Sequence, residues 1–256
     1  MGQIKAIGFD LFNTLVTVDP HTLTMALESL FQSLQSKGFH IEKESFKEAY
    51  RRQAKRFLEA TRATGRETHN RFWVAAALSE AGFPTDPEDS RVQQAVEDYF
   101  GAFSKRCMLL PGTMETLQRL KERFPLGLLS NFTHAPAAWG ILEELGLRPL
   151  FQLILISGDL GYRKPHPSVF QKLCEGLGVL PEELLYVGDD PGPDVYGALG
   201  AGVRPVWSIY AQSLGVRHVA DLAYEGLPPP DGRITRISNW DELMALVGVN
   251  SPLERG

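Results

Sequence analysis

The sequence predicts an α/β fold: a parallel sheet with helices on both faces, interrupted by an all-helical insert. Three observations carry that expectation. First, short apolar runs recur and end in polar or small residues: Ile4 to Phe9, Leu126 to Leu129, Leu153 to Ile156, Leu184 to Val187 and Val203 to Trp207. Unbroken runs of this kind suit strands buried on both faces of a parallel sheet. Second, helical patterns separate the later runs, at Pro111 to Phe124, Pro136 to Leu145, Pro167 to Leu177 and Asp194 to Ala201. Strand-helix-strand repetition of this sort builds such a sheet. Third, the interval from Val18 to Ser104 contains no strand pattern. Its apolar residues recur at helical spacing: Leu23, Met25, Leu27, Leu30, Phe31 and Leu34, then Phe46, Tyr50, Ala54, Phe57 and Leu58, then Phe72 to Leu78 and Val92 to Phe103, with breaks at Gly65 and Gly82 to Pro87.

These pieces predict two lobes: an α/β core from residues 1–17 and 105–245, and a helical lobe over 18–104. Residues 246–256 form a tail, and Pro228-Pro229-Pro230 and Ser251 to Gly256 read as loop and fraying terminus. With 43% hydrophobic and 22% charged residues in 256, the chain has a globular composition and ample length for a core. Its formal charge is −5 and Lys and Arg form no long run, so nucleic acid is not an expected partner. The two cysteines, Cys107 and Cys174, stand far apart, which excludes a metal knuckle or a disulfide framework and suits a reducing compartment. The N-terminus is too interrupted for a signal peptide, and no apolar run approaches the roughly 20 residues of a membrane span. A soluble, cytoplasmic chain is expected, with its oligomeric state open.

In an open parallel sheet, ligands bind beyond the carboxyl ends of the strands. The residues there make a coherent set: Asp10-Leu11-Phe12-Asn13-Thr14-Leu15 after the first run, Ser130-Asn131 after the second, Lys164-Pro165 beyond the third, and Gly188-Asp189-Asp190 with Asp194 after the fourth. A carboxylate able to act as nucleophile, a hydroxyl, an ammonium and a carboxylate cluster converge on one edge. Each residue also has a plainer reading. Asp10 suits a turn cap, Ser130-Asn131 a helix N-cap, Lys164 a solvated loop, Phe12 the core, and Asp190 or Asp194 a cap on the helix that follows. The set as a whole favours function.

These residues resemble the four motifs of the haloacid dehalogenase superfamily, in order. Asp10, Thr14 and Leu15 match the first, Ser130 the second, Lys164 in Lys-Pro-His-Pro the third, and Gly188-Asp189 with Asp194 the fourth. The resemblance covers nearly the whole chain and implies a Rossmann-like core with a helical cap that carries much of the substrate choice. It implies covalent catalysis, in which Asp10 attacks phosphorus or carbon and water hydrolyses the resulting ester. Lys164 would neutralise charge on Asp10 and the substrate, and Ser130 would hold transferring oxygens, with Phe12, Thr14 and Asn131 contacting the substrate. In phosphoryl-transferring relatives Mg²⁺ is held by residues matching Asp10, Asp189 and the main-chain carbonyl of Phe12, an oxygen donor set suited to that ion. Asp190 and Asp194 would support it.

Phe12 departs from the pattern. Phosphatases of the superfamily carry a second aspartate there, which protonates the leaving alkoxide and then activates water. Phenylalanine does neither, and such help is worth about 10² to 10⁴ in rate, so alkyl phosphomonoesters are expected to be poor substrates. A small anionic substrate with a leaving group that departs without a proton, such as an acyl phosphate, remains compatible. So does dehalogenation: the haloacid dehalogenases resemble this chain in an aromatic residue two after the nucleophile and in a Ser-Asn pair. They need no metal, however, and lack the Gly-Asp pair of motif four, whereas clustered carboxylates call for a cation. A Mg²⁺-dependent phosphoryl hydrolase is the first expectation, a metal-independent 2-haloacid dehalogenase the second, and a slow binding or regulatory relative the third.

The remaining conspicuous residues have structural readings. His21, His40, His69, His134, His166 and His218 show no metal-ligand spacing and read as surface or loop residues. Arg51, Arg52, Lys55 and Arg56 read as a solvated helix face, and Phe72 and Trp73 as core of the helical lobe. The glycines at 197, 200 and 202 have the wrong spacing for a dinucleotide fingerprint.

Overall fold

The computed structural model describes residues 3–216 and 230–249. His218, Pro228, Pro229 and the tail from Ser251 therefore lie outside the described residues. Strand β1 (Ala6–Phe9) leads through a tight turn to β2 (Val16–Val18), followed by helices α1 (Thr22–Ser36), α2 (Lys43–Thr64), α3 (Asn70–Glu80) and α4 (Ser90–Ser104). The chain returns through β3 (Cys107–Leu109) and continues as α5 (Thr113–Lys121), β4 (Leu126–Ser130), α6 (Ala135–Glu144), β5 (Leu153–Ile156), α7 (Ser157–Leu160) and α8 (Pro167–Leu177). Strand β6 (Leu184–Gly188), a π-helical turn over Pro191–Tyr196, α9 (Gly197–Gly200), β7 (Arg204–Ser208), α10 (Tyr210–Ser213), β8 (Thr235–Ile237) and α11 (Trp240–Leu246) complete it.

Among the described residues, six strands form one sheet in the order β5-β4-β1-β6-β7-β8, each pair parallel. The chain leaves β1 to build β4 and β5 on one side, then crosses to build β6 onward on the other. That reversal opens a crevice at the carboxyl ends of β1, β4 and β6, where Asp10, Ser130 and Asp189 stand. The apolar runs explain the central strands, since every residue of β1, β4 and β6 is buried. Their side chains alternate between two cores. Ile7, Phe9, Leu128 and Val187 join the cluster under α5, α6 and α11, while Ala6, Leu129 and Tyr186 join Phe170 and Leu173 of α8 on the opposite face.

The insert packs its own core from Leu30, Leu34, Phe46, Tyr50, Val74, Leu78, Val96 and Phe100. Its helices end where expected: Gly65 caps α2 in the left-handed conformation, and α3 stops just before Gly82. Several expectations need correction. Leu23 and Met25 are 42% and 44% exposed, because Ala26 takes the inward position between Leu27 and Leu30. Strands β2 and β3, too short for a period-two pattern to register, pair antiparallel at the root of the insert, with Val16 opposite Leu109. The fourth helical pattern begins earlier than Asp194, as the π-helical turn, because the Asp190 carboxylate accepts from Gly192 N at 2.9 Å and starts it there. Nor is His134 a surface residue. At 3% exposure it accepts from Ala137 N (3.1 Å), donates toward Glu97 Oε1 (2.9 Å) and stacks on Phe100, so burial leaves neither ring nitrogen without a partner. Phe72 is exposed rather than core. No helix among the described residues is long and apolar enough to cross a membrane.

Candidate active site

Asp10 follows β1 directly, its N–H donating to Val187 O of the neighbouring strand at 2.9 Å. The chain then folds back sharply: Asn13 donates to Val16 O, while Leu15 and Val16 both donate to Leu11 O. Asn13 stands at φ +56°, the one non-glycine at positive φ among the described residues, a conformation its short polar side chain tolerates. This turn directs Phe12 outward, where its ring stacks on Phe132 (5.2 Å between centroids) and meets Phe103 edge-on (5.6 Å).

Lys164 is 1% exposed, and its ammonium has three partners: Asp10 Oδ1 at 2.6 Å, Asp194 Oδ1 at 2.7 Å and the Tyr186 hydroxyl at 2.8 Å. All three of its N–H donors are therefore matched. The Tyr186 hydroxyl itself donates to Leu129 O at 2.9 Å. The Lys164 main chain is fixed by Asn131, whose carbonyl accepts from Lys164 N (2.8 Å) while its amide donates to Lys164 O (3.0 Å). Asp194 Oδ2 accepts from Asp190 N at 2.9 Å. Trp207 Nε1 donates to Asp189 O at 2.9 Å.

Oxygens of Asp10, Asp189 and Asp194 come within 4.8 Å of one another, all three residues being buried. Burial, with Asp194 and Asp189 nearby, pushes the Asp10 carboxyl up to about 8 against the pull of Lys164. Burial alone would lower the Lys164 pKa, yet Asp10 and Asp194 overcome it and hold the ammonium well above its ordinary value. Asp10 and Asp194 face the Lys164 ammonium and Asp189 adds a third carboxyl group beside them, an all-oxygen donor set that fits a hard divalent cation such as Mg²⁺.

A cavity of about 320 Å³ lies over this cluster, walled by Asp10, Phe12, Ser130, Lys164, Asp189 and Asp190 among others. Ser130 Oγ is buried on that wall with no hydrogen-bond partner, which leaves it available to a substrate oxygen. The geometry thus brings together Asp10, Ser130, Lys164, Asp189 and Asp194. Two residues expected to contact substrate have protein partners of their own. Thr14 is fully buried off the cavity wall, with its hydroxyl 3.4 Å from Asp189 Oδ1, so it orients that carboxylate. Asn131 reaches the wall, but its amide is engaged by the Lys164 main chain at both ends. Of the two fourth-motif candidates, Asp194 joins the carboxylate group and Asp190 caps the π-helical turn.

Sequence reasoning missed Tyr186, although a tyrosine inside an otherwise apolar strand is itself a signal. It also missed Arg163 and Glu67. Their side chains are 6% and 3% exposed and lie 3.4 Å apart, and Glu67 also accepts from Ser157 Oγ at 2.5 Å. The loop between α2 and α3 is thereby tied to the segment that carries Lys164, a contact reinforced where Arg163 N donates to Gly65 O (3.0 Å).

A family model described as haloacid dehalogenase-like hydrolase matches residues 4–202. The chain is 34% identical over 124 residues to the glyceraldehyde 3-phosphate phosphatase of Pyrococcus furiosus, a match covering 46% of this chain and 51% of that enzyme. It therefore spans about half the length of that relative. With the enzyme of the same name from Pyrococcus abyssi it shares 28% identity over 211 residues, covering 82% and 83% of the two chains. Among solved structures, the 2-haloacid dehalogenase of Pseudomonas syringae pv. Tomato DC3000 superposes with a TM-score of 0.70 at 25% identity, over 96% of this chain and 99% of that one. Motif residues, sheet topology and the family match over residues 4–202 together make this chain a member of the haloacid dehalogenase-like hydrolase family.

Proposed function

We propose that this hydrolase is a Mg²⁺-dependent phosphoryl hydrolase that works through Asp10 on a small anionic substrate whose leaving group departs unprotonated. The observation that carries this reading is the meeting of the Asp10, Asp189 and Asp194 carboxylates, two of them paired with one ammonium. Asp10, Asp189 and the Phe12 main-chain carbonyl would hold the ion, with Asp194 and Asp190 supporting them. When bound, it neutralises charge between the nucleophile and the phosphoryl oxygens.

In the first step a bond forms between an Asp10 carboxylate oxygen and phosphorus as the bond to the leaving group breaks, the electron pair departing with that group. Lys164, already 2.6 Å from Asp10, steadies the anionic carboxylate, and Ser130 donates to a phosphoryl oxygen. Water then attacks phosphorus as the phosphorus–oxygen bond to Asp10 breaks, which restores the carboxylate and releases phosphate, the protons of the water staying on the phosphate or passing to solvent. Phe12 offers no acid for the first step and no base for the second. Residues 18–104 act as the cap over a core of residues 1–17 and 105–245, and the site works in the cytoplasm.

A second reading is a metal-independent 2-haloacid dehalogenase, in which Asp10 attacks carbon and halide leaves. The aromatic ring of Phe12 and the likeness to the Pseudomonas syringae enzyme favour it. One paired assay separates the two: acetyl phosphate, p-nitrophenyl phosphate and 2-chloropropionate, each with Mg²⁺ or with EDTA. Phosphate release that EDTA abolishes is the expected result. Halide release that persists in EDTA replaces the first reading with the second.

A further inference from the structure

The cavity is unequally furnished. Its charged residues, Asp10, Arg163, Lys164, Asp189, Asp190 and Asp194, all come from the segments around the sheet edge. Every residue that α1 to α4 contribute is uncharged, including Tyr50, Asn70, Trp73, Tyr99, Phe100 and Phe103. The guanidinium of Arg163 is already faced by Glu67 at 3.4 Å. A second anionic group carried away from the phosphoryl end would thus meet no cation that lacks a counter-charge among the lining residues, beside a wall made mainly of rings.

What the cavity does offer is an unbroken run of rings, begun by two residues that follow β1 and β4 and continued by the helices. It starts at Phe12, two residues from Asp10, and passes to Phe132 (5.2 Å) and Phe100 (5.4 Å). It continues to Tyr99 (5.0 Å), Tyr50 (6.5 Å) and Trp73 (6.4 Å). Among these rings two polar groups are buried without satisfied hydrogen bonds. Trp73 Nε1 has no acceptor. Asn70, 1% exposed, lies near the Tyr50 hydroxyl, but neither polar atom of its amide makes a well-formed hydrogen bond. Asn70 and Trp73 stand three apart on α3 and so share one face of it. Buried donors left open in this way cost stability, and a ligand that supplies the missing acceptor recovers it.

Building on the phosphoryl reading above, we propose that the substrate's leaving group is an uncharged aromatic body bearing a hydrogen-bond acceptor, stacked along the Phe12-to-Trp73 wall and read by Trp73 Nε1 and Asn70. An aroyl phosphate or an electron-poor aryl phosphate has that chemistry. Both leave without a proton, as the absence of an acid at position 12 requires.

The test is steady-state kinetics on the full chain with Mg²⁺, using acetyl phosphate, benzoyl phosphate, 4-acetylbenzoyl phosphate and its charged isostere 4-carboxybenzoyl phosphate. The kcat/KM for benzoyl phosphate is expected to exceed that for acetyl phosphate roughly a hundredfold, and the acetyl-substituted compound to exceed the carboxylate by at least about tenfold. In Trp73→Phe, which keeps a ring and removes the donor, the ratio of acetylbenzoyl to benzoyl phosphate falls about tenfold. Equal rates on acetyl and benzoyl phosphate, or a preference for the carboxylate, overturn the proposal while leaving the phosphoryl reading intact. If no compound releases phosphate, the phosphoryl reading fails, and calorimetry decides the cavity separately. Binding of 4′-hydroxyacetophenone but not 4-hydroxybenzoate upholds the assignment of the wall, and absence of binding by the former overturns it.

Discussion

The Asp194 carboxylate leans so closely over Gly188 that a β-carbon on that glycine would stand 2.4 Å from Asp194 Cγ. Neither group has room to yield, since Asp194 is held by Lys164 at 2.7 Å and by Asp190 N at 2.9 Å. Gly188→Ala must therefore displace Asp194 and loosen Lys164 above Asp10. Overpacking of this kind costs about 1–3 kcal/mol. Urea denaturation should show that loss, and turnover should fall at least tenfold. A variant with unaltered stability and turnover would mean that the close approach has no role in holding the cluster.

The carboxylate cluster predicts a stability effect of the metal that does not depend on knowing the substrate. A ligand present at a hundred times its Kd stabilises by about 2.7 kcal/mol, or about 5–10 °C in Tm for a chain of this size. Mg²⁺ should raise the melting temperature by that order, and Asp189→Asn should lose most of the rise. Equal shifts in the two proteins would place the ion elsewhere.

On the proposed chemistry the second step is expected to be the slow one, because Phe12 provides no base to activate water. Rapid mixing with an acyl phosphate should show a burst of leaving group close to one equivalent, followed by slower turnover. Phe12→Asp should suppress the burst and raise turnover of alkyl phosphates by about 10² or more. Linear release from the first milliseconds would show that water attack is not limiting.

His69 links pH to stability away from the chemistry. Burial first, then the proximity of His134 and Arg71, lowers its pKa from 6.5 to about 4. The unfolded chain therefore binds this proton more readily than the folded one. The stability the neutral ring contributes is fully present above pH 6.5 and is lost as the pH falls from there to about 4. His69 also caps α3 by accepting from Arg71 N, a role Asn can keep. His69→Asn should lose less of its urea midpoint between pH 7.5 and pH 5 than the parent protein. An identical loss would remove His69 as a cause.

The sequence by itself determined the central strands, the helical character of the insert and the placing of Asp10, Ser130 and Asp189 at strand carboxyl ends. These are local matters: an apolar run makes a buried strand, and the residue that ends it stands at the strand's carboxyl end wherever neighbouring strands lie. Tertiary structure decided the rest. The Tyr186 hydroxyl reaches Lys164, and Glu67 reaches Arg163, only because strands and loops far apart in the chain are packed together. The same holds for the hydroxyl of Thr14, which packing brings to Asp189, and for the amide of Asn131, which it brings to the Lys164 main chain. A pattern of hydrophobicity states which face of an element is buried. Which partner meets that face is decided by the mutual packing of all the elements, and no single stretch of sequence carries it.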